Sequence, residues 1–185
     1  LPICATPDPD KAKSVLAAAG VKTPVDITLW WTPSHYGAVS GDEYTEIKRE
    51  LESTGLFKVT LQDAEWDTYS KAYPADQYAA FQLGWFPDYP DADDYLAPFY
   101  LQGGFYKNHY DNPQIDQLIT QEEGETDPTK RASQIDQIQT LAAKDVPTIP
   151  IWQGNQVAAT GLTVTGVDKT FDPSYTFRMW LIGKS

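Results

Sequence analysis

The chain has 185 residues, enough for one well-buried domain. Twenty-six Asp and Glu residues against 14 Lys and Arg leave a net charge of -12, which argues against a nucleic-acid partner or docking on anionic membranes and suits cationic or zwitterionic ligands. No apolar run reaches membrane-spanning length, and the chain opens on Leu1 with no legible signal peptide, as expected of a piece of a longer precursor.

The elements alternate from the start. Asp10 to Ala19 reads as a helix, with Ala12, Val15, Leu16 and Ala19 on one stripe and Gly20 placed to stop it. Val25 to Trp30 alternates and reads as a strand. Thr32 to Gly41 reads as a loop. Asp42 is then expected to cap a helix with Tyr44, Ile47 and Leu51 facing inward and Gly55 at its end. Lys58 to Gln62 is a second strand, Glu65 to Tyr73 a short helix, and Ala79 to Trp85 a third strand. Strands separated by helices predict right-handed crossovers and a mostly parallel sheet.

The next stretch, Phe86-Pro87-Asp88-Tyr89-Pro90-Asp91-Ala92-Asp93-Asp94-Tyr95, sets rings beside carboxylates in one punctuated loop. Such a loop suits a surface that grips a small polar or cationic organic molecule. Asp91, Asp93 and Asp94 also read as capping and charging the first turn of a helix running to Phe99. Asn112-Pro113 and Asp127-Pro128 each open a further helix, the second with Ala132, Ile135, Ile138, Leu141 and Ala142 on one side. Thr148 to Trp152 and Gln156 to Ala159 read as late strands. Thr163 to Ile182 is rich in β-branched and aromatic residues without a clear helix.

Ligands of open parallel α/β sheets sit beyond the carboxyl ends of the strands. Two loops leave there, Trp31 to Tyr36 and Phe86 to Tyr89. If their strands lie side by side, the loops gather Trp31, His35 and Tyr36 with Trp85, Asp88 and Tyr89. For Asp88 a loop-ordering Asx turn is the alternative role.

Enzymatic readings are weaker. His35 and His109 are far apart, Ser34 beside His35 is not a triad, and no nucleophile elbow or Gly-rich phosphate loop is present. Asp88 and Asp91 raise a glycosidase reading, because such enzymes use two acids and sugar-stacking rings. A calcium loop from Asp88, Asp91 and Asp93 lacks the glycine and terminal glutamate of an EF-hand. No catalytic residue, metal or cofactor is assigned. Cys4 is the lone cysteine. It reads as a free or buried thiol, or as half of a disulfide to a cysteine outside this sequence.

Four motifs in order resemble one family. They are Asp8-Pro9-Asp10-Lys11-Ala12-Lys13 through Ala19-Gly20, then Gly84-Trp85-Phe86-Pro87-Asp88-Tyr89 leading to Pro98-Phe99-Tyr100, then Asn112-Pro113-Gln114-Ile115-Asp116, and Val146-Pro147-Thr148-Ile149-Pro150-Ile151. Together they are similar to the C-terminal lobe of the family 5 extracellular solute-binding proteins, the dipeptide- and oligopeptide-binding subunits of ABC importers. The resemblance implies one α/β lobe of a class II periplasmic-binding-protein-like fold over residues 1–185. About 155–185 would be the segment that recrosses to the other lobe. It further implies an exported, extracellular or periplasmic monomer that hands a peptide, or in some relatives an oligosaccharide, to a membrane permease. By the same resemblance Asp88 pairs with the ligand's α-ammonium group and Trp85 packs beside it.

Overall fold

The computed structural model describes residues 6–172, 174 and 176–185; Cys4 and its expected thiol chemistry lie outside them. The chain divides into two compact units, Leu1–Gly84 and Trp85–Ser185.

In the first unit, helix α1 (Pro9–Ala18) opens on Asp8, whose side chain accepts from Lys11 N, and has Pro9 at its first position. Gly20 follows at φ +70°, and Val21 N reaches back to Leu16 O at 2.9 Å, the left-handed stop that glycine favours. No residue of α1 is fully buried, although Ala12 and Leu16 on its stripe are half-buried. Strand β1 (Val25–Trp31) pairs in parallel with β2 (Phe57–Asp63) from Val25↔Phe57 to Trp31↔Asp63. On its other side β1 pairs in parallel with β3 (Ala80–Phe81), giving the order β2-β1-β3. The fold is thus α/β with a parallel sheet flanked by helices.

Helix α2 (Ser40–Ser53) crosses between β1 and β2. Its cap is Val39, with no side-chain hydrogen bond, and not Asp42. Asp42 and Glu43 sit instead in the first turn, where negative charge meets the positive end of the helix dipole. Tyr44 is buried while Ile47 and Leu51 are half-buried, and Gly55 follows the helix at φ +70°. Helix α3 (Trp66–Ala72) supplies Tyr69 and Ala72 to a ring-rich core with Tyr73 and Tyr78, against which Trp30, Trp66, Phe81 and Leu83 pack.

The third strand is shorter than its apolar run. Gln82 N still donates to Trp30 O at 2.8 Å, but side chains then replace the ladder. The Tyr69 hydroxyl lies 2.8 Å from Gln82 O and 3.1 Å from Trp30 O. Thr32 N donates to Gln82 Oε1 at 3.4 Å.

In the second unit a single turn at Asp93–Tyr95 and the four-residue helix α4 (Ala97–Tyr100) stand where a longer helix was expected. Helices α5 (Pro113–Glu123) and α6 (Pro128–Asp145) begin as read. Asn112 Oδ1 accepts from Gln114 N and Ile115 N, and Asp127 Oδ1 from Thr129 N and Lys130 N. Their facing sides and Leu96 form an aliphatic core of Ile115, Leu118, Ile119, Ile138 and Ala142. The late strands at 148–152 and 156–159 do not form. Ile149 is 76% and Val157 87% exposed, and among the described residues no backbone partner pairs with this stretch; β-branched sequence makes a strand only against another. The tail closes with a two-stranded antiparallel sheet of β4 (Val164–Thr165) and β5 (Gly183–Lys184).

Candidate functional site

At the carboxyl end of β1, Thr32 is fully buried and the chain turns out into a ring-bearing loop. His35 stacks face to face on Trp66, centroids 3.6 Å apart and planes 1° from parallel. Tyr36 meets both rings edge-on, and its hydroxyl lies 3.4 Å from Gly84 O. The loops after β1 and β3 therefore touch within this unit, as neighbouring parallel strands require. A Cβ at Gly84 would stand 2.7 Å from the Tyr36 ring, so glycine is what lets the ring lie flat on the backbone. Burial lowers the His35 pKa, favouring a neutral imidazole. Burial also pushes the Tyr36 phenol up to about 12, against the opposing pull of the Gly84 carbonyl. Trp31 turns away to stack with Tyr44 at 6.2 Å, over Gly41 of α2, and is half-buried there. The structure brings His35 and Tyr36 together, whereas Trp31 packs under α2.

In the second unit one carboxylate oxygen organises the ring loop. Asp94 is 2% exposed. Its Oδ2 accepts from the Trp85 indole Nε1 at 3.1 Å and from Asp88 N at 2.9 Å. The Trp85 ring is wedged edge-on between Phe99 and Phe105. Pro87 is buried, while Asp88 and Tyr89 are exposed. The backbone of Asp88 is thus fixed while its carboxylate projects outward. Tyr89 donates its hydroxyl to Asp93 Oδ2 at 2.8 Å. That hydrogen bond, with some burial, pushes its pKa up to about 12.

Behind this loop lies a second tier. Asp91 takes both arms of Arg131, at 2.9 and 2.5 Å, and Arg131 Nε donates to Glu122 Oε2 at 2.8 Å. The guanidinium holds Asp91 below its ordinary value. Glu122 is fully buried, and burial raises its pKa against the pull of Arg131, with neighbouring Asp93 adding to the rise. Asp93 and Asp94 stand in the first turn at Asp93–Tyr95, which has no side-chain cap. Asp91 anchors to α6, Asp93 receives Tyr89, and Asp94 ties the loop. An Asp run before a helix is ambiguous in sequence, and contacts spanning 40 residues leave no local signal.

These commitments bear on the enzymatic readings. Asp91 is locked on Arg131 and is not poised as a glycosidase acid or base. Among the described residues no group of three or more His, Cys, Asp or Glu could hold a metal ion. No helix among them is long and apolar enough to cross a membrane.

Residues 3–107 match the family described as bacterial extracellular solute-binding proteins, family 5 middle. The chain is 28% identical over 121 residues to the dipeptide-binding protein DppE of Bacillus subtilis, covering 65% of this chain and 22% of that protein. It is 29% identical over 149 residues to a dipeptide-binding protein of Pseudomonas aeruginosa, covering 78% and 28%. Among solved structures it resembles a dipeptide-binding protein from Pseudoalteromonas sp. SM9913 in complex with Met-Leu. There the TM-score is 0.78 at 25% identity, over 96% of this chain and 36% of the other. The chain spans about a quarter of the length of these curated relatives.

Proposed function

Because the chain belongs to the family 5 bacterial extracellular solute-binding proteins, we propose that it is the ligand-gripping part of an exported receptor that delivers short peptides to an ABC importer. In this reading residues 1–185 form a single lobe, and about 155–185 recross towards the remainder of the receptor. The receptor acts as a monomer, carries out no turnover, and meets a membrane permease when closed on its ligand.

The Asp94 knot carries the proposal. It fixes Trp85 and the Asp88 backbone through one buried oxygen and leaves the Asp88 carboxylate exposed, without a partner among the described residues. A carboxylate held out beside an indole suits a cationic terminus that can be drawn out of water with it. We assign Asp88 to the ligand's α-ammonium group, and Trp85 and Tyr89 to the flanking apolar contact. His35 and Tyr36, on the loop after β1, are assigned as a further contact surface. Trp31 is assigned with them, its packing on Tyr44 leaving it half-exposed.

Asp88→Asn, made in a receptor containing this chain, tests the assignment because it keeps the shape and removes the charge. Breaking one side of a desolvated charge pair costs about 2–5 kcal/mol, so free-amine peptides should bind roughly 30-fold weaker or worse. N-acetylated peptides should bind the original receptor poorly and lose little more. Equal free-amine affinity in both, measured by calorimetry, would refute the role of Asp88.

A further inference from the structure

Two buried carboxylate oxygens in the second unit lack a donor, Glu122 Oε1 and Asp93 Oδ1. Glu122 and Asp93 are within hydrogen-bonding reach of each other. Every other polar oxygen of the pair has a partner: Glu122 Oε2 accepts from Arg131, and Asp93 Oδ2 accepts from Tyr89. The charged groups facing Glu122 are Arg131 from α6 and Asp93 from the ring loop. Asp91 stands beyond Arg131 and takes it bidentately.

That count leaves too little positive charge. One guanidinium is already matched by Asp91, so two further ionised carboxylates would face each other with both inner oxygens unmet. Like charges facing each other through buried oxygens are resolved by one proton, and a proton on Glu122 supplies the missing donor. We infer that Glu122 is a carboxylic acid in the folded protein, donating its O–H to Asp93 Oδ1 and so positioning the loop that carries Trp85 and Asp88. Asp93 is joined through its neighbour Asp94 to the Trp85 indole and the Asp88 amide, and through its own amide to Asp91. Glu122 is a positioning residue, and its bearing on binding rests on the ligand role proposed for Asp88 and Trp85.

The proton should remain until pH rises above the ordinary glutamate value of 4.5. Its loss sets Glu122 and Asp93 against each other and loosens the loop.

Infrared titration of the full chain tests this. A protonated-carboxyl band that persists after the other carboxyls have ionised, and is absent from Glu122→Gln, is the expected result. In the same pH range the Trp85 indole N–H resonance should shift with the Glu122 midpoint. In Glu122→Gln it should stay flat, because the amide donates to Asp93 and accepts from Arg131 without titrating. Should that variant fail to fold, the carbon-13 carboxyl resonance of Glu122 in the unmodified chain reports the same midpoint. A Glu122 that ionises at 4.5 overturns the inference, and so does an indole resonance indifferent to its titration. Both readouts are taken without ligand, so they stand or fall apart from the role of Asp88.

Discussion

The Trp85 indole and the backbone amide of Asp88 end on the same atom, Oδ2 of Asp94, at 3.1 and 2.9 Å. The stretch from Trp85 to Asp88 is therefore closed around one buried oxygen, with the exposed Phe86 and the buried Pro87 between its two donors. Proline brings no N–H of its own to compete.

Asp94→Ala leaves both donors unmet. A buried donor stripped of its acceptor costs about 1–3 kcal/mol, so the substitution should cost roughly 2–3 kcal/mol after water recovers part of the loss. Asp94→Asn keeps an oxygen and should cost about half as much. Urea unfolding followed by tryptophan fluorescence measures both, and Asp94→Ala matching the unmodified chain would rule out the closure as a stabilising feature.

Gly84→Ala should drive a methyl into Tyr36, whose ring carbons lie 2.7 and 2.8 Å from the ideal Cβ. Overpacking of this kind costs about 1–3 kcal/mol. The same substitution in a Tyr36→Leu background should cost distinctly less. A double-mutant cycle reads the difference as coupling, and no coupling would mean that the ring moves aside freely.

The buried phenols make the fold sensitive to alkali. Burial pushes Tyr36 up to about 12 and pushes Tyr44 and Tyr69 further upward. The folded chain keeps these protons above the ordinary value of 10.0. The stability they contribute is complete below that value and is lost as pH rises through the folded values. Thermal midpoints should fall above about pH 10, with phenol absorbance rising in step with unfolding. Tyr69→Phe should flatten the fall while lowering stability at neutral pH, because Trp30 O and Gln82 O lose the hydroxyl.

Much of the fold was legible from local chemistry. Alternation marked β1 and β2, and the Asn112-Pro113 and Asp127-Pro128 pairs marked the starts of α5 and α6, because these signals act within a few residues. The parallel direction of the strands followed from the intervening helices, while the adjacency of β1 and β3 came from the structure. What escaped was long-range or ambiguous. Residues 148–152 carry strand-forming side chains, but pairing depends on a neighbour that sequence does not name. Asp91, Asp93 and Asp94 look alike in a run, yet Arg131 on α6 and the Trp85 indole give them different work. Of the candidate site, the ring loop stood out by composition, and Asp88 within it by the family resemblance. Glu122 did not, since an acid among α5 residues reads as solvated surface until it is found with no exposure at all.

The two cores are built from different matter. The first unit closes on Tyr69, Tyr73 and Tyr78 with Trp30 and Trp66 around them, whereas the second closes on Leu96, Ile115, Leu118, Ile119 and Ile138. Ring-proton resonances of Tyr69, Tyr73 and Tyr78 therefore report on the first core, and isoleucine methyl resonances at 115, 119 and 138 report on the second. A single denaturation series watched through both windows would time the collapse of each core separately, with no label or cut in the chain.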